Sequence, residues 1–185
     1  MGAVSLVISD VDGTLVTPEK TLTDANIRAV HRLHARGIGF TVISSRPPFG
    51  LRMLVAPLAF ALPLGAFNGG AMVKPTLEVI EQRLVPEPAA RRSVEVLEQC
   101  GADVWVFTAE RWLAQNPAGD YVPRERRTLL AEPTAVKDFL RISSAPRKSS
   151  DQAATSPALP HAKKRCARRW ARKRRSSARS PIISM

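Results

Sequence analysis

The sequence predicts an α/β fold with a doubly wound parallel sheet. Three observations carry that reading. Short apolar runs at residues 4–9, 38–43 and 64–67 each stop at a polar residue, helical stretches lie between them, and the chain changes character near residue 140.

The first run, Val4-Ser5-Leu6-Val7-Ile8-Ser9, is β-branched and nearly all apolar, as expected of a parallel strand covered on both faces; it stops at Asp10. After a turn-rich stretch, Thr23 caps a helix with Ile27, Val30 and Leu33 at helical spacing, and Gly37 stops it. Residues 38–43 form a second strand ending at Ser44. Pro47 and Pro48 open a second helix through about Ala56, and residues 64–67 form a third strand ending at Asn68. Strands alternating with helices imply right-handed crossovers and a parallel sheet. Residues 71–84 read as a hairpin turning at Pro75-Thr76 and leading out of that sheet. A helix over 88–99, strands over 103–108 and about 111–114, and a helical or mixed stretch over 120–130 make a second, short α/β unit. The domains expected are a core over 1–83, a partial cap over 84–140 and a tail over 141–185.

Charge supports the division near residue 140. Residues 1–140 hold equal numbers of basic and acidic side chains, so the net charge of +12 belongs to residues 141–185, which have 13 Lys and Arg against Asp151 alone. With many serines, scattered prolines and no apolar periodicity, this tail is expected to be disordered. Three readings of it stay open: an arm that binds polyanions without sequence preference, a solvated extension, and an out-of-frame translation beginning at about residue 139. The third is favoured, because Ala, Arg, Pro and Ser dominance suits a shifted frame of a G/C-rich gene. Only Trp170 interrupts the tail's charge, which gives little support to base stacking or specific nucleic-acid binding.

Cys100 and Cys166 stand 66 positions apart without a Cys-x-x-Cys, which argues against a disulfide framework or a zinc site. The N-terminus lacks a signal-peptide pattern, and the longest apolar run, residues 53–67, is short and broken by Pro57 and Pro63. The expectation is a soluble, cytoplasmic protein with no membrane partner.

The chemistry is expected beyond the carboxyl ends of the strands, where parallel α/β sheets bind ligands. Asp10-Val11-Asp12-Gly13-Thr14-Leu15 puts two carboxylates at the end of the first strand, followed by a glycine that lets the backbone approach a ligand. Phosphoryl transfer uses such a pair: one ionised carboxylate attacks phosphorus, and a second, kept protonated by its surroundings, serves the leaving oxygen and then water. A divalent cation would relieve the repulsion between them, and Mg²⁺ suits one or two carboxylates with phosphate oxygens and water. Ser44 and Asn68 stand at the next two strand ends. Ser44 is also suited to capping the helix at Pro47-Pro48, Asn68 to a left-handed turn, and Arg46 to a surface ion pair. His31 and His34 share a helix face without a third ligand, and Trp105 and Trp112 read as packing residues.

Asp-x-Asp-Gly-Thr after a strand resembles the first motif of the haloacid dehalogenase-like superfamily, and Asn68-Gly69-Gly70 is similar to the Asn-Gly-Ala of its Cof-type branch, which carries a C2 cap. Residues 132–139 also resemble the middle of that cap. The resemblance covers residues 4–139. It implies Asp10 as nucleophile and Asp12 as general acid/base, both toward Mg²⁺. It further implies Gly13, Thr14 and Ser44 toward phosphate, and Arg46, Asn68 and Gly69 toward substrate. The implied activity is hydrolysis of a small phosphorylated metabolite through an aspartyl phosphate, although a mutase or ATPase can use the same nucleophile. The family's later Lys and its acidic Gly-Asp segment are not found in residues 140–185, so the chain reads as truncated or frameshifted and its activity as impaired. The core strands expected after the cap are not found either, so the first strand is expected to have an open edge. The alternative is a non-catalytic fragment or a basic polyanion-binding protein.

Overall fold

The structure is a computed structural model, and it describes residues 3–139. The expectation for the basic tail falls outside the described residues; the expectation against a disulfide is corrected, since Cys100 is disulfide-bonded.

The front part runs β1 (Leu6–Ser9), α1 (Asp24–Ala35), β2 (Gly39–Val42), a 3-10 turn (Pro48–Leu51), α2 (Arg52–Leu58) and β3 (Leu64–Ala66). Thr23 caps α1 by accepting a 3.2 Å hydrogen bond from the Asn26 amide, and Gly37, at φ +71°, donates to the His34 carbonyl to end it. The paired prolines fix a tight 3-10 turn before α2 rather than one regular helix, and Pro57 lies in the last turn of α2. β1 and β2 pair in parallel with Leu6 opposite Gly39, and one parallel bridge, Ile43 to Gly65, joins β2 to β3. Glycine is needed at 65, because a Cβ there would lie 2.9 Å from Ile43 Cγ1. The core under this sheet gathers Val11, Val30, Phe40, Val42, Leu54, Leu58 and Leu64, with Phe40 stacked on Phe60. Burying each such large side chain stabilises the fold by roughly 1.5–3 kcal/mol.

The hairpin expected at 71–84 forms β4 (Ala71–Val73) and β5 (Val79–Gln82), but it does not leave the sheet directly. β4 returns antiparallel along β3, Leu64 opposite Val73, so a parallel arrangement gives way to an antiparallel meander. The short Asn68-Gly69-Gly70 connection permits this reversal, whereas a parallel return would need a crossover.

The second unit is α3 (Glu87–Gln99), β6 (Trp105–Phe107), β7 (Trp112–Ala114), α4 (Val122–Leu129) and β8 (Thr134–Ala135). Trp105 and Phe107 face one side of β6, against Trp112, Val122 and Leu129, while Val104 and Val106 face the other, against Val94 and Phe139. Trp105 and Trp112 meet edge to face at 5.1 Å, so both pack as expected. Phe49 and Phe67 of the front part join the first of these clusters. β8, two residues parallel to β7, was not anticipated.

The expectation that β1 is covered on both faces is corrected. Leu6 is 45% and Ile8 55% exposed, and among the described residues β1 pairs with β2 alone. Two residues apart in a strand, these side chains share one face, and no described element packs over it.

Candidate active site

Asp10 follows the last residue of β1 and is exposed. Beyond it the chain wraps the Val11 carbonyl, which accepts hydrogen bonds from the Thr14, Leu15 and Val16 amides at 3.4, 3.0 and 3.0 Å. Gly13 takes φ +84° in this turn, a conformation that favours glycine, and Gly13 and Thr14 are both exposed.

The turn aims the Asp12 carboxylate at two cations. Arg46 grips it bidentately, Nε to one oxygen and Nη2 to the other, both at 2.9 Å, and Lys20 Nζ lies 2.7 Å from the second oxygen. Arg46 is only 2% exposed. Its Nη1 donates to the Gly50 carbonyl at 3.0 Å, and the guanidinium is thereby fixed on both sides. Burial by itself would raise the Asp12 carboxyl, but the hydrogen bonds and charges of Arg46 and Lys20 more than offset it and hold the group at about 2. The expectation of an Asp12 kept protonated by its surroundings is therefore corrected: the fold keeps it ionised. Arg46 was expected on substrate or at the surface, and is instead committed inward to Asp12.

Ser44 is 1% exposed at the end of the β2 segment. Its Oγ accepts from the Arg46 amide at 3.2 Å, its amide donates to Gly65 and its carbonyl accepts from Asn68. These bonds make Ser44 the turn-forming residue ahead of the prolines and leave its hydroxyl proton free to donate. Asn68 is exposed in a left-handed conformation, φ +55°, and Gly69 follows at φ +87°. Asp12, Arg46, Ser44 and Asn68 thus form one connected network, and Asp10 stands exposed two residues before Asp12.

His31 donates through Nε2 to the Pro57 carbonyl at 2.9 Å, and it stacks on His34. No group of three or more His, Cys, Asp or Glu able to hold a metal occurs among the described residues. Asp10 and Asp12 therefore fit Mg²⁺ only as a sparse set. The Asp10 carboxylate and the Asp12 main-chain carbonyl are available, while the Asp12 carboxylate is taken by its cations.

Two residues escaped the sequence reading. Lys20 sits in a turn closed by the Thr17 amide on the Thr21 carbonyl, at φ +67°, and nothing in the Pro18-Glu19-Lys20 stretch marks it as Asp12's partner. Glu125, on α4, is partly buried and interacts electrostatically with Asp12, Arg46 and Lys20. No local pattern signals it, because its coupling to those charges depends on how the second unit packs.

No helix among the described residues is long and apolar enough to cross a membrane. Among solved structures, a haloacid dehalogenase-like hydrolase from Bacteroides thetaiotaomicron superposes with a TM-score of 0.67 at 22% identity, over 75% of this chain and 54% of that one. One from B. subtilis gives 0.65 at 18%, over 78% and 58%. Both share the fold. Among relatives in sequence, the HMP-PP phosphatase of Cronobacter sakazakii is 28% identical over 58% of this chain and 39% of its own length. The pyridoxal phosphate phosphatase YbhA of Escherichia coli is 23% identical over 73% and 50%. This chain thus spans half or less of those relatives. The haloacid dehalogenase-like hydrolase family model matches residues 7–175, and the chain belongs to that family.

Proposed function

We propose that the chain is built for Mg²⁺-dependent hydrolysis of a small phosphomonoester through an aspartyl phosphate at Asp10. The observation that carries this reading is the contrast between two neighbouring carboxylates. Asp10 is exposed at a strand's carboxyl end, while Asp12 is anchored by Arg46 and Lys20. A nucleophile must be ionised and reachable, and its partner must be held in place.

In this reading an Asp10 carboxylate oxygen attacks phosphorus, the P–O ester bond breaks, and the leaving oxygen needs a proton. An incoming phosphoryl dianion competes with Asp12 for Lys20 and Arg46, which raises Asp12's proton affinity and lets it serve as acid. Returned to its ionised state, Asp12 then takes a proton from the water that cleaves the aspartyl phosphate. The exposed Gly13–Thr14 turn and the Ser44 hydroxyl proton suit phosphoryl oxygens, and Asn68 and Gly69 suit the substrate. Asp10 and the Asp12 carbonyl would hold Mg²⁺, which supplies neutralisation of the charge between carboxylate and phosphoryl group. The relatives named for HMP-PP and pyridoxal phosphate support a small phosphorylated metabolite as substrate.

The test is phosphate release from p-nitrophenyl phosphate and pyridoxal phosphate, with and without Mg²⁺. We expect Mg²⁺-dependent turnover, abolished by Asp10→Asn. Release that persists unchanged in Asp10→Asn would overturn the proposal.

A further inference from the structure

The sheet of the front part has two faces of opposite character. Residues paired across neighbouring strands point to the same side, so the register puts Leu6 with Gly39, Ile8 with Thr41, and Ile43 with Gly65 and Met72 on one face. On the other face Phe40, Val42, Leu64 and Val73 are buried in the core. Leu6, Ile8, Ile43 and Met72 are instead each about half exposed, and Val4, two residues before Leu6, is more so. A Cβ at Gly65 would lie 2.9 Å from Ile43 Cγ1, and one at Gly39 would lie 2.9 Å from Leu62 Cδ1 and 3.3 Å from Leu6 Cδ1. These side chains therefore lean over the two glycines, and the apolar surface continues across four strands. Surface of this kind marks an interaction site.

Charge decides what fits it. Among the paired residues of this face, none from β1 to β4 is Lys, Arg, Asp or Glu; the first is Glu81 on β5, opposite Met72. A strongly charged partner would find no counter-charge there. Residues 141–185 hold 13 Lys and Arg against Asp151 alone, without apolar periodicity, so laying them on the face would withdraw unpaired charges from water. A second copy brings the same uncharged apolar face, and residues 1–140, with equal acidic and basic counts, add no net repulsion.

We propose that this face is a homodimer interface, in which two copies stack their β1–β4 faces across a two-fold axis, with about 10 Å between the sheets. A two-fold axis lets one self-complementary surface serve both copies. Four short strands make a small interface, so a reversible dimer is expected rather than an obligate one.

The test is sedimentation equilibrium of the full chain. We expect a monomer–dimer equilibrium with a Kd on the order of 10 µM, tightening as salt screens the repulsion between the two basic tails. Ile8→Lys, Ile43→Lys and Met72→Lys should each raise that Kd at least about tenfold, because each sets a charge into the stacked face. These side chains are already half in water, so circular dichroism and thermal melts should match the unaltered chain. Leu130→Lys, just past α4 and also exposed, should leave the Kd within about twofold. Without any variant, hydroxyl-radical labelling of Met72 should fall as the chain is concentrated through the Kd. A chain that stays monomeric at about 100 µM, or unchanged Met72 labelling, would overturn the proposal. So would a dimer that Ile8→Lys breaks and Met72→Lys leaves intact, since that pattern assigns the contact to the open edge of β1. Association that weakens as salt rises would assign it to residues 141–185 and overturn it as well.

Discussion

At the carboxyl ends of β1 and β2 the buried polar side chains are partnered: Arg46 uses all three of its nitrogens, and Ser44 closes a turn. In the β6–β7 sheet the opposite holds, for Trp105 and Trp112 bury their indole Nε1 atoms without a hydrogen bond among the described residues. Both regions are closely packed, yet one is specified by directional charge and the other by apolar area. A charged network is intolerant of losing a member, because the partner left behind stays buried. An aromatic cluster already carrying unmet donors has less to lose at those atoms.

The largest effect should come from Asp12→Ala, which leaves the Arg46 guanidinium buried without a counter-charge. We expect a loss of about 3–5 kcal/mol in urea unfolding, and a loss below about 1 kcal/mol would break the comparison.

Acid should sharpen it. The Asp12 carboxyl sits at about 2 against an ordinary 3.8, so its stabilisation is fully present above pH 3.8 and is lost as pH falls through 2. The amount is about 2 kcal/mol, seen as the difference in pH dependence between the unaltered chain and Asp12→Asn. Equal acid sensitivity in both would show that the ion pairs contribute nothing in solution.

At the junction of the two regions, Gly50→Ala should cost about 1–3 kcal/mol by driving a methyl into Leu129, with Arg46 Cβ also close at 3.3 Å. Thermal melts followed by tryptophan fluorescence would report it, since α4 packs with Trp112. The smallest effect is expected from Trp112→Phe, where lost ring volume is offset by removal of an unmet donor. The net change should stay within about 1 kcal/mol, and a loss of several would show that the indole nitrogen has a partner in solution.

Much of the front part was legible because its signals are local. Thr23 and Gly37 bracket α1, apolar runs mark β1 to β3, and Asp10 and Asp12 sit where a strand ends. The antiparallel return of β4 along β3 and the two-residue β8 were not legible, since each is defined by its pairing partner rather than by its own pattern. Nor could the strand pattern of residues 4–9 reveal that Leu6 and Ile8 face outward: an apolar run states what a strand can bury, and the surrounding elements decide what it does bury.

The site divides along the same line. By itself the sequence determined the α/β alternation, the strand-end position of Asp10 and Asp12, and a glycine where the turn needs a positive φ, because these depend on residues within a few positions of one another. Only the tertiary structure decided that Arg46 turns inward, that Lys20 joins it on Asp12, and that Glu125 reaches the same charges from α4. Those are interactions between residues distant along the chain, and the protonation state of Asp12 follows from them. A carboxylate's charge is set by what stands around it in space, which its sequence neighbours do not specify.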